Sequence, residues 1–132
     1  MARRRHLSRI AVMQVLFERE QRPDIDISDS LTRNVAELGE VDAEFAEALL
    51  QGVLEHEGEL KEAIQEHAPG WSMERMDPIA RWVLFIGSYE LLCVKDAPPA
   101  VVMNEAIEIA KEFGTDESGK FVNGVLNGMV KK

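Results

Sequence analysis

Apolar residues recur every three or four positions along most of the chain, and no β-rich run alternates strictly between apolar and polar. That period is the signature of the α-helix. Residues 6 to 20 predict a first helix with Leu7, Ile10, Ala11, Gln14 and Phe17 on one side, widened by Val12, Met13 and Leu16. Pro23 and the acidic cluster from Asp24 to Asp29 stop it. Ser28 is expected to cap a short second helix that turns Leu31, Val35 and Leu38 inward, with Gly39 in the left-handed position after its end. Asp42 caps a third, burying Phe45, Leu49, Leu50 and Val53. Gly58 then interrupts the continuation toward Leu60 and Ile64, where glycine costs about 1 kcal/mol relative to alanine and predicts a kink or break.

The stretch APGWS, residues 68 to 72, is the main internal boundary, separating a first half of about 1–68 from a second of about 72–132. Beyond it, Asp77-Pro78 is a strong helix start, because proline at the first helical position loses no needed N–H and aspartate can cap. The segment IARWVLFIGSYELLCV is apolar nearly all round, which places it at the centre of the fold. It is shorter than the roughly 20 apolar residues of a membrane span and is interrupted by Arg81 and Glu90. Pro98-Pro99 opens a helix that stops at Phe113-Gly114, and Thr115 or Asp116 caps a last one carrying Val122, Val125, Leu126 and Met129 inward.

At 132 residues the chain fits one domain with a core that needs no metal or disulfide staple. Its one cysteine, Cys93, lies in an apolar run and is expected to be a reduced core residue of a cytoplasmic protein. The basic start ARRR is not followed by a secretory pattern, since Arg9, Gln14, Glu18 and Arg19 interrupt it. Net charge is −9, yet Glu37 to Glu66 holds ten acids and one base and so carries all of it. Residues 1 to 9 hold Arg3, Arg4, Arg5 and Arg9 and no acid. One end suits anions and the middle repels them, although charge alone leaves a solvated terminus as an equal reading.

The stretch GTDESGKF, Gly114 to Phe121, has the outline of a phosphate loop. A phosphate loop needs a strand before it and a Ser or Thr after the lysine for magnesium. Here a helical pattern precedes it, Phe121 follows Lys120, and Asp116 and Glu117 would repel a triphosphate. The stretch reads instead as a helix stop followed by a helix start. His6, His56 and His67 lack partners at metal-ligand spacing, and no HExxH or CxxC occurs, so no metal or cofactor is expected. No nucleophile with an adjacent base is visible, which leaves catalysis unsupported. Binding has more behind it. Arg5, His6 and Arg9 lie at the start of the first helix and Lys120 near the start of the last, where backbone N–H groups favour anions. Brought together in space, the two helix starts would combine phosphate contacts with the aromatic faces of Phe17 and Phe121, as single-stranded RNA requires. The competing reading makes both phenylalanines plain core.

The run PPAVVMNEAIEIAKEFGTDESGKFVNGVLN closely resembles the C-terminal signature of the transcription antitermination factor family NusB, NEA-(I/V)-x-(L/I)-AK-x-(F/Y)-G followed by S-x-KFVNG-(V/I)-L. Asn104, Glu105, Ala106, Ala110, Lys111 and Gly114 match the first part, and Ser118, Lys120, Phe121, Val122, Asn123, Gly124 and Leu126 the second. Arg9, Gln14, Leu16 and Phe17 fit the family's first helix, and Tyr89-Glu90-Leu91 its YEL. The resemblance implies an all-α fold of two small three-helix bundles packed across each other. It also implies binding of boxA RNA in nascent ribosomal transcripts, pairing with the ribosomal protein NusE, and entry into the RNA polymerase antitermination complex. The RNA contacts it implies are Arg9, Gln14, Phe17, Glu117, Lys120 and Phe121, to which charge adds Arg3, Arg4, Arg5 and His6. Expected partner-facing residues are Glu74, Arg75, Arg81 and Glu90, and the acidic third helix would complement a basic protein. Phe85 departs from the pattern, standing where many members carry an arginine. Two other readings accompany this one: a NusB-like domain of an RNA cytosine methyltransferase, which would need a cofactor domain and a catalytic cysteine elsewhere, and a homodimer that buries its RNA surface. Monomer and homodimer both stay open.

Overall fold

The helical period is realised as seven α-helices over residues 2–131, the span described by this computed structural model, with no strand among the described residues. In order they are α1 (Ala2–Gln21), α2 (Ile27–Leu38), α3 (Ala43–Glu55), α4 (Glu57–Glu66), α5 (Pro78–Tyr89), α6 (Pro99–Phe113) and α7 (Asp116–Val130). A 3-10 turn, Met73–Arg75, precedes α5, and a π-helical turn, Glu90–Val94, extends it. The chain divides into two compact units, Met1–Gly52 and Val53–Lys132. The division falls before the 68–72 breakers because α4 packs on α5, with its Leu60 and Ile64 buried.

In the first unit α1 starts earlier than residue 6; it buries Ile10, Ala11, Val12, Met13 and Leu16 as expected, but its buried face also takes in polar residues. Ser8, Arg9, Ile10, Val12, Met13, Val15 and Leu16 are buried, whereas Leu7, Gln14 and Phe17 are half-buried. Ser8 explains part of that difference. Its hydroxyl accepts the Asp42 N–H at 2.9 Å and lies within donating distance of the Arg4 and Asp42 carbonyls, 2.8 and 3.0 Å away. A buried serine so satisfied pins α1 to the entry of α3. Asp42 caps α3 as expected, its Oδ1 accepting the Phe45 N–H at 3.1 Å. The cap of α2 is Asp26 rather than Ser28: Asp26 accepts the Asp29 N–H at 3.1 Å, and the helix has already begun at Ile27. Gly39 ends α2 at φ +88°, where a β-carbon would be strained. Across α1 and α2, Ser30 donates to the Glu18 carboxylate, and Arg33 pairs with it at 3.1 Å.

In the second unit Asp77 and Pro78 start α5 as anticipated, with Asp77 accepting the Ala80 N–H at 3.4 Å. Every residue from Trp82 to Ser88 is buried, and α6 and α7 pack on this helix and on each other. Phe85 is part of that core, 4% exposed, its ring 5.1 Å from that of Trp82. The departure from the arginine pattern is thus absorbed by packing. The apolar run stops being buried after Glu90, where the π-helical turn carries Leu92, Cys93 and Val94 to the surface. Cys93 is therefore exposed, not a core residue. No helix among the described residues is long and apolar enough to cross a membrane.

Candidate nucleic-acid interface

The α6–α7 junction is shaped by one glycine and two hydroxyls. A β-carbon on Gly114 would lie 2.8 Å from the Ala110 carbonyl oxygen and 2.7 Å from Ser118 Oγ, so only glycine lets α7 start this close to the end of α6. Thr115 caps α7, its Oγ1 accepting the Ser118 N–H at 3.2 Å, while Ser118 Oγ accepts the Thr115 N–H at 3.1 Å. This reciprocal pair is a capping box with serine in place of the usual Glu or Gln. Ser118 then donates its hydroxyl proton to Asp77 Oδ2 at 2.8 Å, so the residue that caps α5 also holds the first turn of α7.

Beside that linkage lies a groove of about 930 Å³ lined by the starts of α5 and α7. Met76 and Ala80 lie in its buried wall, Trp71, Phe113 and Phe121 give it aromatic faces, and Arg75, Glu117 and Lys120 supply charge. Trp71 meets Phe121 edge to face, with centroids 5.5 Å apart and planes at 62°. Trp71 is 50% exposed and Phe113 37%. Glu117 sits one helical turn before Lys120, carboxylate to ammonium 3.5 Å, both largely in solvent. Lys120 also lines a smaller hollow of about 320 Å³ with Lys111, Asp116 and Asn123.

The first unit carries the arginine-rich surface, and it is less open than its charge suggests. Arg3 and Arg4 are exposed. Arg5 is half-buried and Arg9 only 4% exposed, because both guanidinium groups lie over the Phe45 ring, 4.5 and 5.2 Å from its centroid. His6 is buried at 8% exposure, and Gln14 and Phe17 are half-buried. Phe17 and Phe121 are thus neither core residues nor fully displayed.

Of the residues expected to face a partner, Glu74 and Arg75 are exposed on the 3-10 turn. Arg81 is half-buried, its guanidinium 5.3 Å from the Trp82 ring centroid. Glu90 is 4% exposed and offers a partner almost no surface, because it begins the π-helical turn on its inner side. Sequence reasoning missed Trp71 and Phe113. The available signal was a tryptophan set among turn residues, PGWS, outside any helical stripe.

The whole described chain bears comparison with known proteins. The NusB family model matches residues 6–131. The transcription antitermination protein NusB of Bacillus subtilis (strain 168) is 40% identical over 129 residues, 96% of this chain and 94% of that protein. That of Methylacidiphilum infernorum is 37% identical over 122 residues, 91% and 85% of the two chains. Among solved structures, T. maritima NusB superposes with a TM-score of 0.86 at 38% identity, covering 96% of this chain and 90% of that one. A crystal structure of the antitermination factors NusB and NusE in complex with dsRNA gives 0.87 at 28% identity over 99% and 98%. Motif, all-helical fold and near-full-length identity agree, and this chain belongs to the NusB family.

Proposed function

We propose that this chain is a non-catalytic transcription antitermination factor that binds boxA-type single-stranded RNA together with NusE, within the RNA polymerase antitermination complex in the cytoplasm. The observation that carries the reading is the open aromatic groove built on the KFVNG signature, with Arg75 and Lys120 among its lining residues, in a chain similar to a NusB solved with NusE and dsRNA. Stacking faces with one flanking lysine suit unpaired bases, which are read by aromatic contact and base-edge hydrogen bonds. Arg3 and Arg4 supply exposed charge for phosphates on the first unit, while the half-buried Arg5, Gln14 and Phe17 and the buried His6 and Arg9 follow along α1.

Each protein alone touches few phosphates, so a joint surface with NusE raises both affinity and sequence choice. Glu74 and Arg75 on the 3-10 turn, with Arg81 beside them in sequence on α5, are the residues proposed for that partner. The test is binding of a boxA RNA and a scrambled control, with and without NusE, across a salt series. Preference for boxA that sharpens with NusE and weakens in Lys120→Ala is the expected result. Lys120→Ala also flattens the salt dependence by about 0.7 in log–log slope if that lysine neutralises one phosphate of a single strand. Equal, steeply salt-dependent binding to both RNAs would overturn the reading.

A further inference from the structure

We propose that Trp71 is a base-stacking residue: with Phe113 and Phe121 it forms a seat for an unpaired nucleobase, extending the RNA path from α7 across the groove to the α4–α5 connection. This inference rests on the RNA reading above and adds to it a residue outside the KFVNG signature.

Tryptophan is among the most buried residues on average, and one left half in solvent beside two other aromatic rings is a placed surface. The second tryptophan shows the contrast, since Trp82 is 5% exposed in the α5 core. Trp71 is also held in position. Gly70 turns the chain at φ +87°, the Trp71 N–H donates to the Ala68 carbonyl at 3.1 Å, and the Trp71 carbonyl accepts from Gln65 Nε2 at 2.6 Å. The ring then packs edge-on against Phe121. A platform fixed before binding loses little entropy when a base arrives.

The surroundings favour a nucleobase over an apolar peptide. Asp77 and Thr115 line the same groove and can accept hydrogen bonds from a base edge, while Arg75 and Lys120 can take the flanking phosphates. Lys120 belongs at the same time to the hollow with Lys111 and Asn123, which gives the backbone a polar exit with the acid Asp116 on its edge.

The experiment uses the full chain, a boxA-type RNA and NusE. Titration is followed by tryptophan fluorescence and, separately, by the anisotropy of labelled RNA. Stacking quenches the exposed Trp71, and that quench vanishes in Trp71→Phe although Trp82 remains. Trp71→Ala weakens RNA binding about 5- to 150-fold, the range for one lost base–aromatic stack, without changing the salt slope, because no charge is removed. Trp71→Phe restores most of the affinity. A structural role alone would leave the unaltered chain unquenched, so its thermal midpoint and its quench separate the two explanations. RNA binding without a Trp71 quench, or with unchanged affinity in Trp71→Ala, overturns this inference and leaves the function standing. No RNA binding by the unaltered chain with NusE overturns both.

Discussion

The two surfaces of this protein that display basic residues are built in opposite ways. In α1 the basic residues are dense in sequence, yet Arg5 and Arg9 are laid over Phe45 and Arg9 is almost wholly covered. At the start of α7 there is a single lysine, but it is exposed, faces a groove of three aromatic rings and pairs with Glu117 one turn away. Charge counted along a sequence is therefore a poor measure of charge offered to a ligand. An arginine stem and guanidinium can serve packing as well as recognition, and α1 divides the two tasks between its successive turns.

The sharpest way to break the α7 surface is at its hinge. Gly114→Ala forces a methyl group against the Ala110 carbonyl and Ser118 Oγ, an overpacking that costs about 1–3 kcal/mol. The expected outcome is a lower thermal midpoint together with loss of RNA binding, because Ser118 no longer holds Asp77 and the α7 turn moves away from Phe113 and Trp71. An Ala variant as stable as the parent would show that the junction has slack.

Arg9→Ala and the pair Arg3→Ala, Arg4→Ala divide the α1 surface by task. Losing the Arg9 contact with Phe45 removes about 0.5–2 kcal/mol of cation–π attraction and appears in chemical denaturation. Removing Arg3 and Arg4, both exposed, leaves stability within about 0.5 kcal/mol and reduces the salt slope of RNA binding instead. If Arg9→Ala were neutral for stability and cut the slope, α1 would work as α7 does and the contrast would collapse.

Much of the helical frame was legible because caps and periods are local. Asp42, Asp77-Pro78, Phe113-Gly114 and Thr115 all mark the boundaries that the chain adopts. Asp26 displaced Ser28 because both residues can cap and only the course of the preceding turn chooses between them. The burial of Ser8 and Arg9 in α1 was missed for a related reason. Ser8 and Arg9 are polar, and their burial depends on a backbone amide of Asp42 and a ring of Phe45 far along the chain. Cys93 came out exposed because a π-helical turn re-aims the side chains that follow Glu90, and nothing in ELLCV announces an i to i+5 pattern. The groove was half legible: Lys120 and Phe121 lie in the signature, whereas Trp71 reaches them only through the tertiary fold.

Glu117 offers a finer adjustment of the α7 side. Its carboxylate lies 3.5 Å from Lys120 with both groups in solvent, so it competes with a phosphate for the lysine at little cost in stability. Glu117→Gln is expected to tighten boxA binding about two- to threefold and to relax the preference over a scrambled RNA, since exposed pairs of this kind are worth well under 1 kcal/mol. Weaker binding in a titration would mean that the carboxylate accepts a hydrogen bond from the RNA.

The smallest effect belongs to the other end of α1, where Glu18 joins α2. The Ser30 hydroxyl, and then Arg33, hold the Glu18 carboxyl below its ordinary range, with partial burial working against them. A carboxyl lowered on folding favours the folded state when it is ionised. Its contribution is complete above the unfolded carboxylate range of about pH 4.3 and disappears as the pH falls through the lower folded value. Glu18→Gln should therefore be slightly less stable than the parent at neutral pH and should converge with it in acid, as read by urea midpoints between about pH 7 and pH 3. The same substitution leaves the salt slope of RNA binding untouched if the α1–α2 contact serves packing alone. A changed slope would place Glu18 within reach of the RNA and would make the covered side of α1 a working part of the binding surface.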